Sequence, residues 1–173
     1  MRSQFILAGL LPLVSAHFKL VYPAARGFDE DKLSTFPCGG QDAVSSNRTS
    51  WPITGGPIQL DFGHTSSKVQ VLLALGNNPG SNFSITLVPT FQEQGPENFC
   101  INGNTIHIPA DVLSQINEGT NATVQVVTNG DPSGGLYNVS FAAPIPHPLQ
   151  SPIPNLHWTD CGLFLPRVSI LRN

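Results

Sequence analysis

Polar and apolar residues alternate in short bursts along this chain, and no stretch carries the three-to-four spacing of an amphipathic helix. Ile58 to Phe62 (Ile-Gln-Leu-Asp-Phe) alternates cleanly, as a strand with one buried face does. Lys68 to Leu75 begins by alternating and turns continuously apolar, which predicts a central strand. Ala122 to Thr128 carries the strongest strand pattern, closes in Asn129-Gly130-Asp131, and is followed by a strand over Leu136 to Phe141. Phe83 to Val88 predicts a further strand, and Phe99 to Ile108 is expected to pair with it, with Asn102-Gly103 as the hairpin turn. Residues 17–27 alternate loosely and read as an edge strand stopped at Pro23. Residues 28–56 read as irregular, and Pro109 to Leu113 as a single helical turn. Short strands separated by turn chemistry predict an all-β fold, an antiparallel β-sandwich with long loops.

Composition narrows the class of function. Of 173 residues only 11% are charged, while 16 are Gly and 16 are Pro. Few charges and many chain breakers speak against a helical bundle. A net charge of -3 gives no basic footprint, so nucleic acid is not an expected partner. Five prolines crowd residues 144–154, which forbids regular helix or a central strand there. The expected organisation is a leader over residues 1–16, a β-sandwich domain over 17–143 and a proline-rich, atypical tail over 144–173.

The leader reading rests on Met1-Arg2, an apolar run from Phe5 to Val14, and Val14-Ser15-Ala16, a small-x-small cleavage pattern. That run is too short to span a bilayer, and no later run is long enough, so no transmembrane helix is expected. Secretion also fits four Asn-x-Ser/Thr sequons, at Asn47, Asn82, Asn121 and Asn138. In an oxidising compartment two of Cys38, Cys100 and Cys161 would form a disulfide and one thiol would be left over.

Cleavage after Ala16 would make His17 the first residue. An N-terminal histidine offers two nitrogens to one metal, its amine and ring Nδ1. One further imidazole completes a T-shaped three-nitrogen set, and nitrogen ligands near square geometry favour copper. His64, in Asp61-Phe62-Gly63-His64-Thr65, follows a strand directly and is the preferred second ligand. His107 lies between apolar neighbours and reads as an outward strand residue. His147 and His157 lie in or beside the proline-rich stretch, a poor platform for a rigid site.

These residues resemble a family. His17-Phe-Lys-Leu-x-Tyr-Pro-x-x-Arg26-Gly27-Phe28-Asp29 followed by Pro37-Cys38-Gly39-Gly40 looks like the start of the fungal copper-acquisition-factor proteins, relatives of the lytic polysaccharide monooxygenases. The resemblance continues through Gly63-His64, Asn98-Phe99-Cys100 and Leu136-Tyr137-Asn138. It implies an immunoglobulin-like sandwich and a histidine brace built by His17 and His64. It also implies a third, aspartate ligand, placement at the plasma membrane or cell wall, and copper handling.

The chain departs from that pattern after Asn138. Family members continue with Cys-Ala-Asp; here Val139-Ser140-Phe141 stands instead. The family's serine-rich linker and anchor signal are missing too. A translated intron or a divergent tail accounts for this, and the first is the preferred reading. On either reading residues 139–173 are expected to pack poorly and leave an open sheet edge after Tyr137. Asp131 is the nearest remaining acidic candidate, with Asp29 and Asp61 behind it. The leading expectation is a secreted or cell-surface protein that captures copper and hands it to a partner such as a membrane copper transporter. A copper-dependent polysaccharide monooxygenase is the alternative, disfavoured because Trp51, Trp158, Tyr22 and Tyr137 are a thin supply of stacking residues beyond Phe. A metal-free cell-wall glycoprotein is the third reading. Gly-x-Ser-x-Gly and Cys-x-x-Cys motifs are absent, which removes the support for serine hydrolysis and zinc chemistry.

Overall fold

The alternating segments pair into two sheets. A computed structural model describes residues 17–52, 55–95, 98–117, 119–131 and 134–145; the leader and residues 146–173 lie outside the described residues. Among the described residues there are eight strands: β1 (Phe18–Tyr22), β2 (Thr49–Pro52), β3 (Ile58–Phe62), β4 (Ser67–Leu75), β5 (Ile85–Glu93), β6 (Asn98–Ile101), β7 (Ala122–Asp131) and β8 (Gly134–Ile145). A single helical turn, α1 (Ala110–Leu113), precedes β7. The first sheet has the order β1-β3-β6 and the second β2-β8-β7-β4-β5. This is the expected all-β sandwich, consistent with an immunoglobulin-like fold.

The core lies between the sheets and follows from period-two alternation. Phe18, Leu20 and Tyr22 of β1 point inward while Lys19 and Val21 face out. Ile58, Leu60 and Phe62 of β3 repeat the pattern. Phe18 stacks on Phe62 at 6.1 Å and Phe62 meets Phe99 edge-on at 6.2 Å. Val69, Val71 and Leu73 of β4 and Val124 and Val126 of β7 close the core from the other sheet. Burying one such side chain stabilises by about 1.5–3 kcal/mol, so this layer carries most of the hydrophobic stability.

The other face of the second sheet is also covered. In β7 every residue from Ala122 to Thr128 is buried, so both of its faces are packed. The long β1–β2 connection is the cover. Arg26 Nη2 donates to Thr123 Oγ1 at 2.7 Å, and Gln125 Nε2 donates to the Pro37 carbonyl at 2.6 Å. Backbone bonds run from Arg26 N to Val139 O (2.8 Å) and from Tyr137 N to Leu33 O (2.7 Å). Gly39 has φ +60°, and a Cβ there would stand 2.2 Å from the Tyr137 carbonyl oxygen. Only glycine lets the strap lie this close to β8.

Several expectations are corrected. Residues 139–145 do not pack poorly: β8 runs through them, and Val139, Ser140, Phe141 and Ala142 are buried. The edge after Tyr137 is not open either. The strap pairs with it near Ala25 and Ser140, and β2 adds to it in parallel from Ala142 onward. Pro144 is tolerated because pairing with β7 ends at Ala142, so no ladder donor is needed on that side. The segment from Phe99 does not pair with β5. It forms the short β6, which joins β3 in the other sheet, and Asn102-Gly103 opens a 3-10 turn rather than a hairpin. Thr49–Pro52, read as irregular, is a strand, and β8 begins at Gly134, two residues before the expected Leu136.

Candidate metal centre

Strand register brings the two preferred histidines to one end of the sandwich. Phe18 pairs with Phe62 across β1 and β3, so His17 just before β1 lies opposite Gly63-His64 just after β3. The Gly63 N–H donates to the His17 carbonyl at 3.1 Å. A Cβ on Gly63 would stand 3.2 Å from both Cε1 and Nε2 of the His17 ring. Gly63 therefore lets the ring sit against the turn that carries His64.

Each ring holds back one nitrogen. His17 Nδ1 and His64 Nε2 are both shielded from solvent, and neither has a hydrogen-bond partner. A buried polar atom without a partner is uncommon in a folded protein and points to a ligand that completes it. Glu30 stands at the same place: its Oε1 lies 3.0 Å from His17 Nδ1, with the side chains 40% (His17) and 44% (Glu30) exposed. The contact has ion-pair spacing but not the direction of a hydrogen bond. Among the described residues no three His, Cys, Asp or Glu side chains gather at metal-binding spacing. Two imidazoles and a backbone nitrogen would not form such a group.

The acidic candidates separate. Asp131 ends β7, opposite Gly134. Lys68 N, at the start of β4, donates to Asn129 Oδ1 at 3.0 Å, so this hairpin sits at the same end of the sheet as the His64 turn. Asp29 is engaged by Lys32 Nζ at 2.8 Å, and that hydrogen bond holds its carboxyl below the usual range. Asp61 is exposed on β3, opposite Lys19. Glu30 was not among the sequence candidates. Its signal was its place directly after Arg26-Gly27-Phe28-Asp29, on the 3-10 turn Glu30–Lys32 that turns back toward β1. His107 is exposed as expected but lies in a loop rather than a strand, and His147 and His157 lie outside the described residues.

The cysteines and sequons also divide. Cys38 is a free, buried thiol; burial pushes its pKa to about 11, against the opposing pull of the Arg26 charge. Cys100 is disulfide-bonded, and Cys161 lies outside the described residues. Asn47 and Asn82 are exposed and Asn121 is partly so. Asn138 is only 2% exposed within β8, so its sequon leaves no room for a glycan in this fold. Of the proposed stacking residues, Trp51 and Tyr22 belong to the core, Tyr137 packs edge-on against Phe36 at 5.2 Å, and Trp158 lies outside the described residues.

Comparisons with known proteins agree on one group. The profile of the copper acquisition factor BIM1-like domain matches residues 15–143. An uncharacterized protein of Aspergillus fumigatus is 50% identical over 137 residues, covering 78% of this chain and 56% of its own length. The chain thus spans just over half of that relative. A lytic polysaccharide monooxygenase-like protein X325 of Hypocrea jecorina is 30% identical over 92% of this chain and 76% of its own. Copper acquisition factor BIM1 of Cryptococcus neoformans var. grubii is 28% identical over 81% of this chain and 65% of its own.

Proposed function

Because the chain belongs to the copper acquisition factor BIM1-like family, we propose that it captures copper outside the cell through a brace of His17 and His64. The observation that carries this reading is the pair of solvent-shielded ring nitrogens, His17 Nδ1 and His64 Nε2, neither of which makes a hydrogen bond. In the proposal, cleavage after Ala16 frees the His17 amine. An α-amine with a pKa of about 7.7–8.0 yields its proton readily to a competing metal. Amine and Nδ1 then chelate from one residue while His64 Nε2 closes the set. Neutral nitrogen donors in that number suit copper above other divalent ions of the first row.

Each neighbouring residue has a part in this scheme. Gly63 permits the close seat of the His17 ring. Glu30 supplies negative charge beside the cation. Asp131 is the candidate third protein ligand. The cargo would be passed to a membrane copper transporter, and the chain would act secreted, in the wall or at the outer face of the plasma membrane. The glycans proposed for Asn47, Asn82 and Asn121, and a disulfide at Cys100, belong to the same extracellular setting.

Competition against a copper chelator tests the reading. Replacing His64 by Ala should weaken copper binding by at least a hundredfold while leaving the far-ultraviolet spectrum of the β-sandwich intact. A folded His64→Ala chain that binds copper like the parent would remove His64 from the site.

A further inference from the structure

A second polar site lies at the other end of the sandwich. β4 runs nine residues from the His64 turn to the Asn77 turn, a span of about 30 Å at strand rise. At the Asn77 end a pocket of about 100 Å³ is lined by Arg26, Arg48, Phe141, Ser45, Asn47 and Thr49. Two guanidinium groups lie against one ring: Arg26 Cζ is 3.6 Å and Arg48 Cζ 4.5 Å from the Phe141 centroid.

These cations are poorly compensated. Burial is the main influence lowering the basicity of both; for Arg26, Cys38 opposes it and the charge of Arg48 adds to it. Arg26 spends donors on Thr123, the Gln41 carbonyl and the Cys38 sulfur, and Arg48 spends one on Asn77 Oδ1. Arg26 Nε and Arg48 Nη1 are shielded and have no acceptor. Asp42 acts on Arg26 only as the weakest of four influences. Among the described residues the ion pairs are His17–Glu30 and Lys32–Asp29, so neither arginine has a carboxylate partner there.

We infer that this pocket binds a small, doubly charged tetrahedral oxyanion, phosphate or sulfate, free or as the terminal ester of a larger molecule. Its charge matches two guanidiniums, its size matches the pocket, and its oxygens can accept from both arginines and from the hydroxyls of Ser45 and Thr49. Cation–π contact with Phe141 holds the guanidiniums together before the anion arrives, and charge-assisted bonds to oxyanions are the strong ones. Arg26 is fixed by its bonds to the strap and to β7. Arg48, more exposed, is the adjustable arm.

The test is calorimetric titration of the full chain at fixed ionic strength with inorganic phosphate, sulfate, glycerol 1-phosphate and acetate. Phosphate and sulfate should bind one saturable site at least tenfold more tightly than acetate. Arg48→Gln should weaken phosphate at least tenfold, and Arg48→Lys should regain part of the loss. Glycerol 1-phosphate binding as well as phosphate marks an ester site; phosphate binding alone marks a site for the free ion. Either result supports the inference. Should Arg48→Gln fail to fold, the side-chain Nε resonances of Arg26 and Arg48 in the parent must shift with phosphate and not with acetate. No saturable phosphate binding, equal binding of acetate, an unaffected folded Arg48→Gln or unmoved arginine resonances would each overturn the inference.

Discussion

The two faces of the β2-β8-β7-β4-β5 sheet are built by different physics. Its inner face meets β1, β3 and β6 through Val69, Val71, Leu73, Val124 and Val126, apolar residues on a strict two-residue period. Its outer face meets the strap of residues 23–48 through Arg26, Gln125, Gly39 and a few backbone bonds. The inner face is held by area removed from water, which tolerates small shifts. The outer face is held by direction and close approach, which do not. The strap also carries Glu30 to His17 and Arg26 to Phe141, so the less regular face brings charged side chains to both candidate sites.

Breaking the inner face should cost most. Trp51 is 1% exposed, and its Nε1 donates to the Pro57 carbonyl at 3.3 Å. Trp51→Ala should remove about 3–5 kcal/mol, measured by urea denaturation with an unchanged slope. Strengthening the outer face should give the next largest effect. Pro37 is held by Gln125, the register partner of Val139, and Gly39 lies against the Tyr137 carbonyl, so Cys38 is carried between two tethers to this part of the sheet. Val139→Cys should therefore form a disulfide with Cys38 and raise stability by about 2–4 kcal/mol. A melting temperature that does not move under oxidising conditions would separate Cys38 from position 139. Straining the strap should do least to the whole and most locally. Gly39→Ala meets a positive φ and a backbone oxygen, a strain of about 1–3 kcal/mol. Cys38 should then react faster with a thiol reagent, while hydrogen exchange in β3 and β4 stays as in the parent.

How much the sequence revealed follows the same division. β3 was read to its end residues, and β4, β7 and β8 to within a few, because one or both faces are apolar on a simple period. β2 was hidden, since Thr-Ser-Trp-Pro is too short to show a period and its partner β8 is distant in sequence. β6 was assigned to the wrong sheet because nearness in sequence favoured a hairpin, while the burial of Phe99 and Ile101 beside β3 decided the pairing. Residues 139–145 were misjudged because the break in the family pattern after Asn138, together with the prolines from Pro144 onward, drew the boundary too early. At the candidate site His17 and His64 were visible as chemistry. Glu30 was not, because its approach to His17 depends on how the strap folds back, and no periodicity encodes that.

The central claim is that His17 binds copper through its own amine as well as its ring. Placing one Ala before His17 in a chain that begins at His17 leaves both imidazoles intact and moves the amine away, so one experiment isolates that nitrogen. Chelator competition on the two forms is the measurement. The account predicts one tight copper per native chain and an affinity lower by at least a hundredfold in the extended form. Equal affinities in the two forms would contradict it.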